Sequence, residues 1–173
     1  MAVAFRATPL ADDRSAGDRS ADGRPADGRP AGGQPRELVI EADGGSRGNP
    51  GVAAGGSVVL DPVTGEVLAE LGVYVGLTTN NVAEYSGMMA GVKRAIEIDP
   101  DAVLHVRLDS KLVVEQMSGR WKIKNAALAD LAAEARRILA GTPVSFEWIP
   151  REQNSRADRL ANESMDKRAS FSR

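Results

Sequence analysis

The chain has 173 residues, of which 42% are hydrophobic and 27% are charged, so it can bury one sizeable core and is expected to form one folded domain. It has no cysteine and one histidine, which excludes disulfides and thiol chemistry and leaves carboxylates to carry any metal or acid-base work. The net charge of −2 argues against binding nucleic acid by bulk electrostatics, although a local basic surface is compatible with it. No apolar run has membrane-spanning length and the first residues lack a secretory signal, so we expect a cytoplasmic protein with no membrane partner.

The N-terminal segment is rich in Ala, Gly, Asp, Arg and Pro, with a near-repeat at residues 21–30. Because it has almost no bulky apolar side chains, it cannot contribute to a core. We therefore predict a disordered tail over residues 1–36, a folded domain over 37–168 and a short C-terminal end over 169–173.

Three strand-type segments follow, and their short connections predict an antiparallel meander. They are Leu38–Asp43, Ala53–Leu60 and Val67–Val75. The first ends at Asp43, and the glycine-rich loop predicted after it would leave this acid at a strand end, where catalytic groups often lie. On this stretch alone, an ordinary Asp-Gly turn is the favoured explanation of Asp43.

A helical period then predicts a long helix from about Thr78 to Ile98. Its apolar face is predicted to consist of Val82, Tyr85, Met89, Val92 and Ile96. Beside Glu84, at helical spacing, lie Gly87, Met88, Gly91 and Ala95, and the small residues among them favour close packing of the helix against a sheet.

The rest of the chain alternates between strand and helix patterns. The first predicted elements are a strand at Val103–Leu108 that ends before Asp109, a short helix to about Met117, a basic segment at Arg120–Asn125 and a helix at Ala126–Ala140. They are followed by a strand at Val144–Ile149 and a last helix. This helix is capped by Asn154 or Ser155 and has Asp158 in its first turn. This order predicts an α/β fold with a mixed sheet.

The crossover through the long helix should make the first and fourth predicted strands parallel neighbours. Asp43 and Asp109 would then end adjacent strands at one edge of the sheet, where Glu84 and Asp158 can approach them. Singly, each acid also suits a turn, a cap or an exposed helix position. Together, four carboxylates would repel one another unless divalent cations neutralised them, and oxygen ligands alone favour Mg²⁺ or Mn²⁺. Two such ions would suit phosphodiester cleavage.

Four motifs, in this order, make the chain resemble a type-one ribonuclease H from about residue 37 to residue 168. The motifs are Asp43-Gly-Gly-Ser-Arg-Gly-Asn-Pro-Gly, Thr79-Asn-Asn-Val-Ala-Glu84, Leu108-Asp-Ser110 and Trp148-Ile-Pro-Arg-Glu-Gln-Asn-Ser-Arg-Ala-Asp158. The resemblance implies a five-stranded mixed sheet, three antiparallel strands then two parallel, flanked by helices. It also implies cleavage of the RNA strand of RNA/DNA hybrids with two magnesium ions, and places the catalytic and metal-binding acids at Asp43, Glu84, Asp109 and Asp158.

The resemblance further implies residues that contact the hybrid. Asn49, Asn80 and Asn81 would read 2′-hydroxyls across the minor groove, although turn and cap chemistry also explains asparagine there. Thr79 and Asn125 match positions that hold a phosphate of the DNA strand. Trp121, flanked by basic residues, either lines the DNA-side channel or packs in the core.

Two departures from the family pattern change what we expect. Arg151, which we expect to contact the substrate, lies in the loop where many members have a histidine; a guanidinium can replace the charge of the histidine but cannot act as a base. The only histidine, His105, is mid-strand and is expected to be structural. The segment between the second and third helices is too short for the basic handle of some members, which predicts weaker hybrid binding with a shallow salt dependence.

Two other functions stay open. One is a hybrid-binding module that does not cut, against which the four intact acids argue, and the other is a DNA-acting phosphoryl transferase of the same fold. We expect a monomer. The composition resembles that of actinobacterial members fused to a C-terminal phosphatase-like domain, and such a fusion is a further hypothesis.

Overall fold

A computed structural model describes residues 3–5 and 33–173, so most of the predicted tail lies outside the described residues. The strands are β1 (Val3–Phe5), β2 (Glu37–Arg47), β3 (Gly51–Leu60), β4 (Val67–Thr78), β5 (Val103–Leu108), β6 (Val144–Trp148) and β7 (Phe171–Ser172). The helices are α1 (Asn80–Ile98), α2 (Lys111–Met117), α3 (Ala126–Ile138) and α4 (Ser155–Lys167), and a 3-10 turn (Arg151–Gln153) precedes α4.

The sheet has the order β1-β6-β5-β2-β3-β4-β7. Strands β2, β3 and β4 are antiparallel neighbours, whereas β2, β5 and β6 run parallel, which confirms the predicted mixed sheet and its crossover. Two short antiparallel edge strands extend it: β1 pairs with β6, and β7 pairs with β4. The composition of the N-terminal segment predicts Val3–Phe5 to be part of the tail; strands of two or three residues are too short to produce a recognisable pattern.

The helices cover the two faces of the sheet unequally. Helices α1, α2 and α3 enclose the main core, to which Leu38, Ile40 and Ala42 of β2 contribute. Helix α4 packs on the opposite face over β2, β3 and β4, where Leu160 meets Val58. Within the described residues, no helix is long and apolar enough to cross a membrane.

Helix α1 approaches the sheet through its small residues. A Cβ atom at Gly87 would lie 2.4 Å from the main-chain oxygen of Asp43, and one at Gly91 would lie 2.5 Å from a methyl carbon of Ile40. The predicted close packing is therefore confirmed. The predicted apolar face is confirmed: Tyr85 and Val92 are buried, and the partly buried Val82, Met89 and Ile96 pack against the same core. The glycines let the backbone of α1 itself contact β2 and β3.

Candidate active site

Asp43, Glu84 and Asp109 come together at the carboxyl ends of the parallel strands. Each offers one carboxylate oxygen, and these three oxygens lie within 4.8 Å of one another. Asp109 directly follows β5, whose last residue, Leu108, pairs with Ala42 just before Asp43. Glu84 enters from the start of the second turn of α1. The crossover topology thus brings these three acids together as the sequence predicts.

The glycines directly after Asp43 do not form the predicted loop but continue the strand beneath α1. Strand β2 does not end at Asp43 but runs on to Arg47, paired with β3 throughout. A Cβ atom at Gly44 would lie 2.2 Å from the backbone nitrogen of Glu84. No residue larger than glycine fits at position 44, because α1 passes directly over it. The turn begins only at Gly48, which has a φ of 95°. This contact places Glu84 beside Asp43.

All four predicted acids line one cavity of about 290 Å³. Asp158 lies at its more exposed side, in the first turn of α4, where Arg151 donates to its carboxylate at 3.4 Å. The other polar side chains lining the cavity are Ser46, Arg47, Asn80 and Asn162. Arg47, which also pairs with Asp166 of α4, was missed as a site residue although it lies inside the glycine-rich motif.

Burial and mutual repulsion dominate the electrostatics of the cluster. Burial raises the pKa of Asp43 to about 7, the nearby Asp109 carboxylate adds to this, and a hydrogen bond from the Gly44 N–H at 2.8 Å opposes it. Burial, followed by Asp43 and Asp109, raises the pKa of Glu84 well above its ordinary value. Glu84 Oε2 is buried and accepts no hydrogen bond from the described residues. Buried, poorly compensated carboxylate oxygens are suited to a hard divalent cation.

Asp109 is held from two sides by the segment that precedes α4. The Asn154 amide donates to Asp109 Oδ1 and to the main-chain oxygen of Ala42, both at 2.8 Å. The Trp148 indole N–H donates to the main-chain oxygen of Asp109 at 3.1 Å. Asn154 was predicted only as a helix cap, because asparagine before a helix is typical of that role. No local pattern indicates which distant strand such a side chain reaches.

The predicted substrate residues occupy different places around the cavity. Asn80 and Arg151 line it. Asn49 accepts a hydrogen bond from the Asn80 N–H at 3.1 Å and so ties the loop after β2 to the start of α1, in which Asn81 follows. Thr79 and Asn125 cap α1 and α3 through their side-chain oxygens and, with Trp121, lie outside the cavity lining.

Trp121 is not a core residue. Its side chain is 46% exposed, in the segment between α2 and α3, so the alternative of a buried tryptophan is wrong. His105 lies mid-strand on β5, where Nδ1 is 2.9 Å from the Ser145 hydroxyl, and it takes no part in the cavity lining.

The mixed sheet, the crossover helix and the carboxylate cluster define a class: α/β proteins with a hard-cation site at the ends of adjacent parallel strands. A family model described as reverse transcriptase-like matches residues 41–164. The solved N-terminal RNase H domain of Rv2228c from Mycobacterium tuberculosis, joined to maltose-binding protein, is 48% identical, with a TM-score of 0.72, and the match covers 76% of this chain and 95% of that one. The chain belongs to the ribonuclease H family.

Other relatives agree with this placement. The structure of LC11-RNase H1 in complex with an RNA/DNA hybrid is 39% identical, with a TM-score of 0.72, over 76% of this chain and 99% of that one. The "Bifunctional protein Rv2228c" of M. tuberculosis is 50% identical over 131 residues, which are 75% of this chain. "Ribonuclease HI" of Halobacterium salinarum is 41% identical over 72% of this chain and 62% of its own length. The chain spans only 36% of the length of Rv2228c.

Proposed function

We propose that this domain is an endonuclease that hydrolyses the RNA strand of RNA/DNA hybrids. The observation that carries the proposal is the convergence of Asp43, Glu84 and Asp109, whose carboxylate oxygens lie within 4.8 Å of one another in a cavity open to solvent. The hybrid bound to LC11-RNase H1, which has the same fold at 39% identity, supports this substrate.

The proposed cofactor is a pair of magnesium ions, with manganese as a substitute. Bound ions would supply Lewis-acid activation of water and stabilise the leaving oxygen. Asp43, Glu84 and Asp109 would hold the ions through their clustered oxygens, and Asp158, at the exposed side of the same cavity, would complete the second site. Arg151 keeps a positive charge beside Asp158 that favours the approach of a phosphate, but it cannot accept a proton.

We propose that the polar residues around the cavity contact the hybrid on two sides. Asn49, Asn80 and Asn81 would meet the RNA strand, where amide groups can bond to 2′-hydroxyls. Thr79 and Asn125 would hold a phosphate of the DNA strand with the groups their capping bonds leave free, and the exposed ring of Trp121 would lie along that strand.

The oligomeric state, the cellular location and the fusion to a second domain are also proposals. We propose that the domain acts as a monomer in the cytoplasm. The word bifunctional in the name of Rv2228c, of which this chain spans 36%, supports a fusion to a second domain in the full-length protein, and we propose that this domain is phosphatase-like.

The direct test is cleavage of an end-labelled RNA/DNA hybrid with Mg²⁺ or Mn²⁺, comparing the wild-type chain with Asp109→Asn. The substitution keeps the shape of the side chain but removes one ligand charge, so we expect cleavage of the RNA strand by the wild type and a loss of about 100-fold or more in the variant. Asp130→Asn, an exposed acid on α3, is the matched control and should cleave normally.

Two outcomes would contradict the proposal. Hybrid binding without cleavage by the wild type, under either metal, would favour a binding module. Equal cleavage of a DNA duplex of the same sequence would favour a DNA-acting phosphoryl transferase of the same fold.

A further inference from the structure

Asn154 is completely buried between three elements of the candidate site. Its amide nitrogen donates at 2.8 Å to Ala42 in β2 and at 2.8 Å to the Asp109 carboxylate after β5, and the residue itself immediately precedes α4, which carries Asp158. Both partners can only accept a hydrogen bond, so the NH₂ group must face them. One side chain therefore connects the main chain beside Asp43 to the carboxylate of Asp109.

Although Asn154 directly precedes α4, its side chain does not cap that helix. In the other three helices, the residue before the helix caps it through a side-chain oxygen: Thr79, Ser110 and Asn125. Asn154 makes no such bond to α4, and its φ of −116° and ψ of 22° differ from the extended backbone of those three. Its Oδ1 is buried without a hydrogen-bond partner among the described residues. The side chain thus leaves the start of α4 uncapped and one of its own polar atoms unsatisfied, both of which disfavour the fold.

We propose that Asn154 is a positioning residue that holds the Asp109 carboxylate at a fixed separation from Asp43 for cation binding. The inference rests on the proposed function. Asp43 and Asp109 are like charges in a buried cluster, so without a tether the Asp109 side chain would rotate away from Asp43 when no cation is bound. The hydrogen bond to Ala42 anchors the amide to the strand that carries Asp43, so the same amide sets the spacing of both ligands.

Asn154→Ser is the most informative variant. Serine is a good cap for α4 but too short to reach both Ala42 and Asp109, so a purely structural role and a positioning role give opposite expectations. Asn154→Ala is a second variant that removes the donor without adding a charge or a cap. Gln153→Ser, at the exposed neighbouring position, is the matched control.

The measurements are isothermal titration calorimetry with MgCl₂ and MnCl₂, hybrid cleavage kinetics and thermal unfolding in EDTA. For Asn154→Ser we expect metal affinity and kcat each about 10- to 100-fold lower, the range for residues that orient metal ligands, with KM for the hybrid within about twofold. The melting temperature in EDTA should fall by only a few degrees, because the new cap on α4 partly offsets the two lost hydrogen bonds. Asn154→Ala should lose metal affinity by about as much, and Gln153→Ser should match the wild type throughout.

The readouts separate this inference from the proposed function. Wild-type metal affinity in both Asn154 variants would overturn the positioning role, as would loss of the cooperative unfolding transition at the assay temperature, because the lower affinity would then reflect unfolding. If the wild type binds metal but does not cleave the hybrid, only the proposed function is overturned, because calorimetry can still compare the metal affinity of the variants with that of the wild type. Absence of metal binding by the wild type would overturn both.

Discussion

The negative charges of two buried carboxylates destabilise the folded protein unless protons or cations neutralise them. Asp43 and Glu84 are only 6% exposed each, and burial raises the pKa of both. A group whose pKa is raised by burial binds protons more tightly in the folded state than in the unfolded one. In the metal-free domain, the contribution of these two acids to stability should therefore be largest where they are protonated, and bound cations should remove that dependence.

For Asp43 the pKa rises from 3.8 to about 7, so its contribution to the free energy of unfolding falls as the pH rises through that interval and then levels off. In EDTA, Asp43→Asn should remove this loss, and its stability relative to the wild type should increase by about 2–4 kcal/mol between pH 4 and pH 8. Urea unfolding of both chains at several pH values measures the difference and cancels effects common to both. A difference that does not change with pH would contradict the prediction.

At the scale of elements, strand order was enough to predict where the acids meet, because a crossover makes its two strands parallel neighbours. The sequence could not show that β2 continues past Asp43, since a run of glycines predicts a turn as readily as a strand under a closely packed helix. The contact face of α1 was predicted, but only by combining two separate signals. Hydrophobic periodicity detects large side chains, whereas Gly87 and Gly91 act through having none.

Gly87 offers the clearest test of this packing. A Cβ atom there would lie 2.4 Å from the Asp43 oxygen and 3.0 Å from the Gly56 oxygen, both main-chain atoms that cannot move without shifting a strand. Gly87→Ala should therefore lower the free energy of unfolding by about 1–3 kcal/mol, although alanine favours a helix by about 1 kcal/mol. Urea unfolding measures this change.

Gly45→Ala is the control for this substitution, because its added carbon would meet only the flexible end of Met165, at 3.4 Å. It should change stability much less than Gly87→Ala does. An unfolding free energy for Gly87→Ala equal to or above that of the wild type would show that the helix can move away from the sheet at little cost.

For the whole molecule, the charge distribution limits how the domain can hold a polyanion. The chain carries a net charge of −2, and the segment between α2 and α3 is a short loop with no helix of its own. Within that loop, Arg120 pairs with Glu115, and one of its two hydrogen bonds is 3.0 Å long. Lys122 and Lys124 are exposed. With Arg151 beside the cavity, about three cations are placed to meet phosphates.

Hybrid affinity should therefore depend only weakly on salt. About three phosphate contacts predict a slope near −3 in a plot of log affinity against log salt concentration. Replacing both Lys122 and Lys124 by glutamine should make the slope shallower by about 2, because each neutralised phosphate contributes close to one unit. Fluorescence anisotropy of a labelled hybrid with the Asp109→Asn chain measures binding without cleavage. A slope of −6 or steeper would mean that many more cations reach the hybrid, and an unchanged slope in the double variant would move the DNA strand away from this loop.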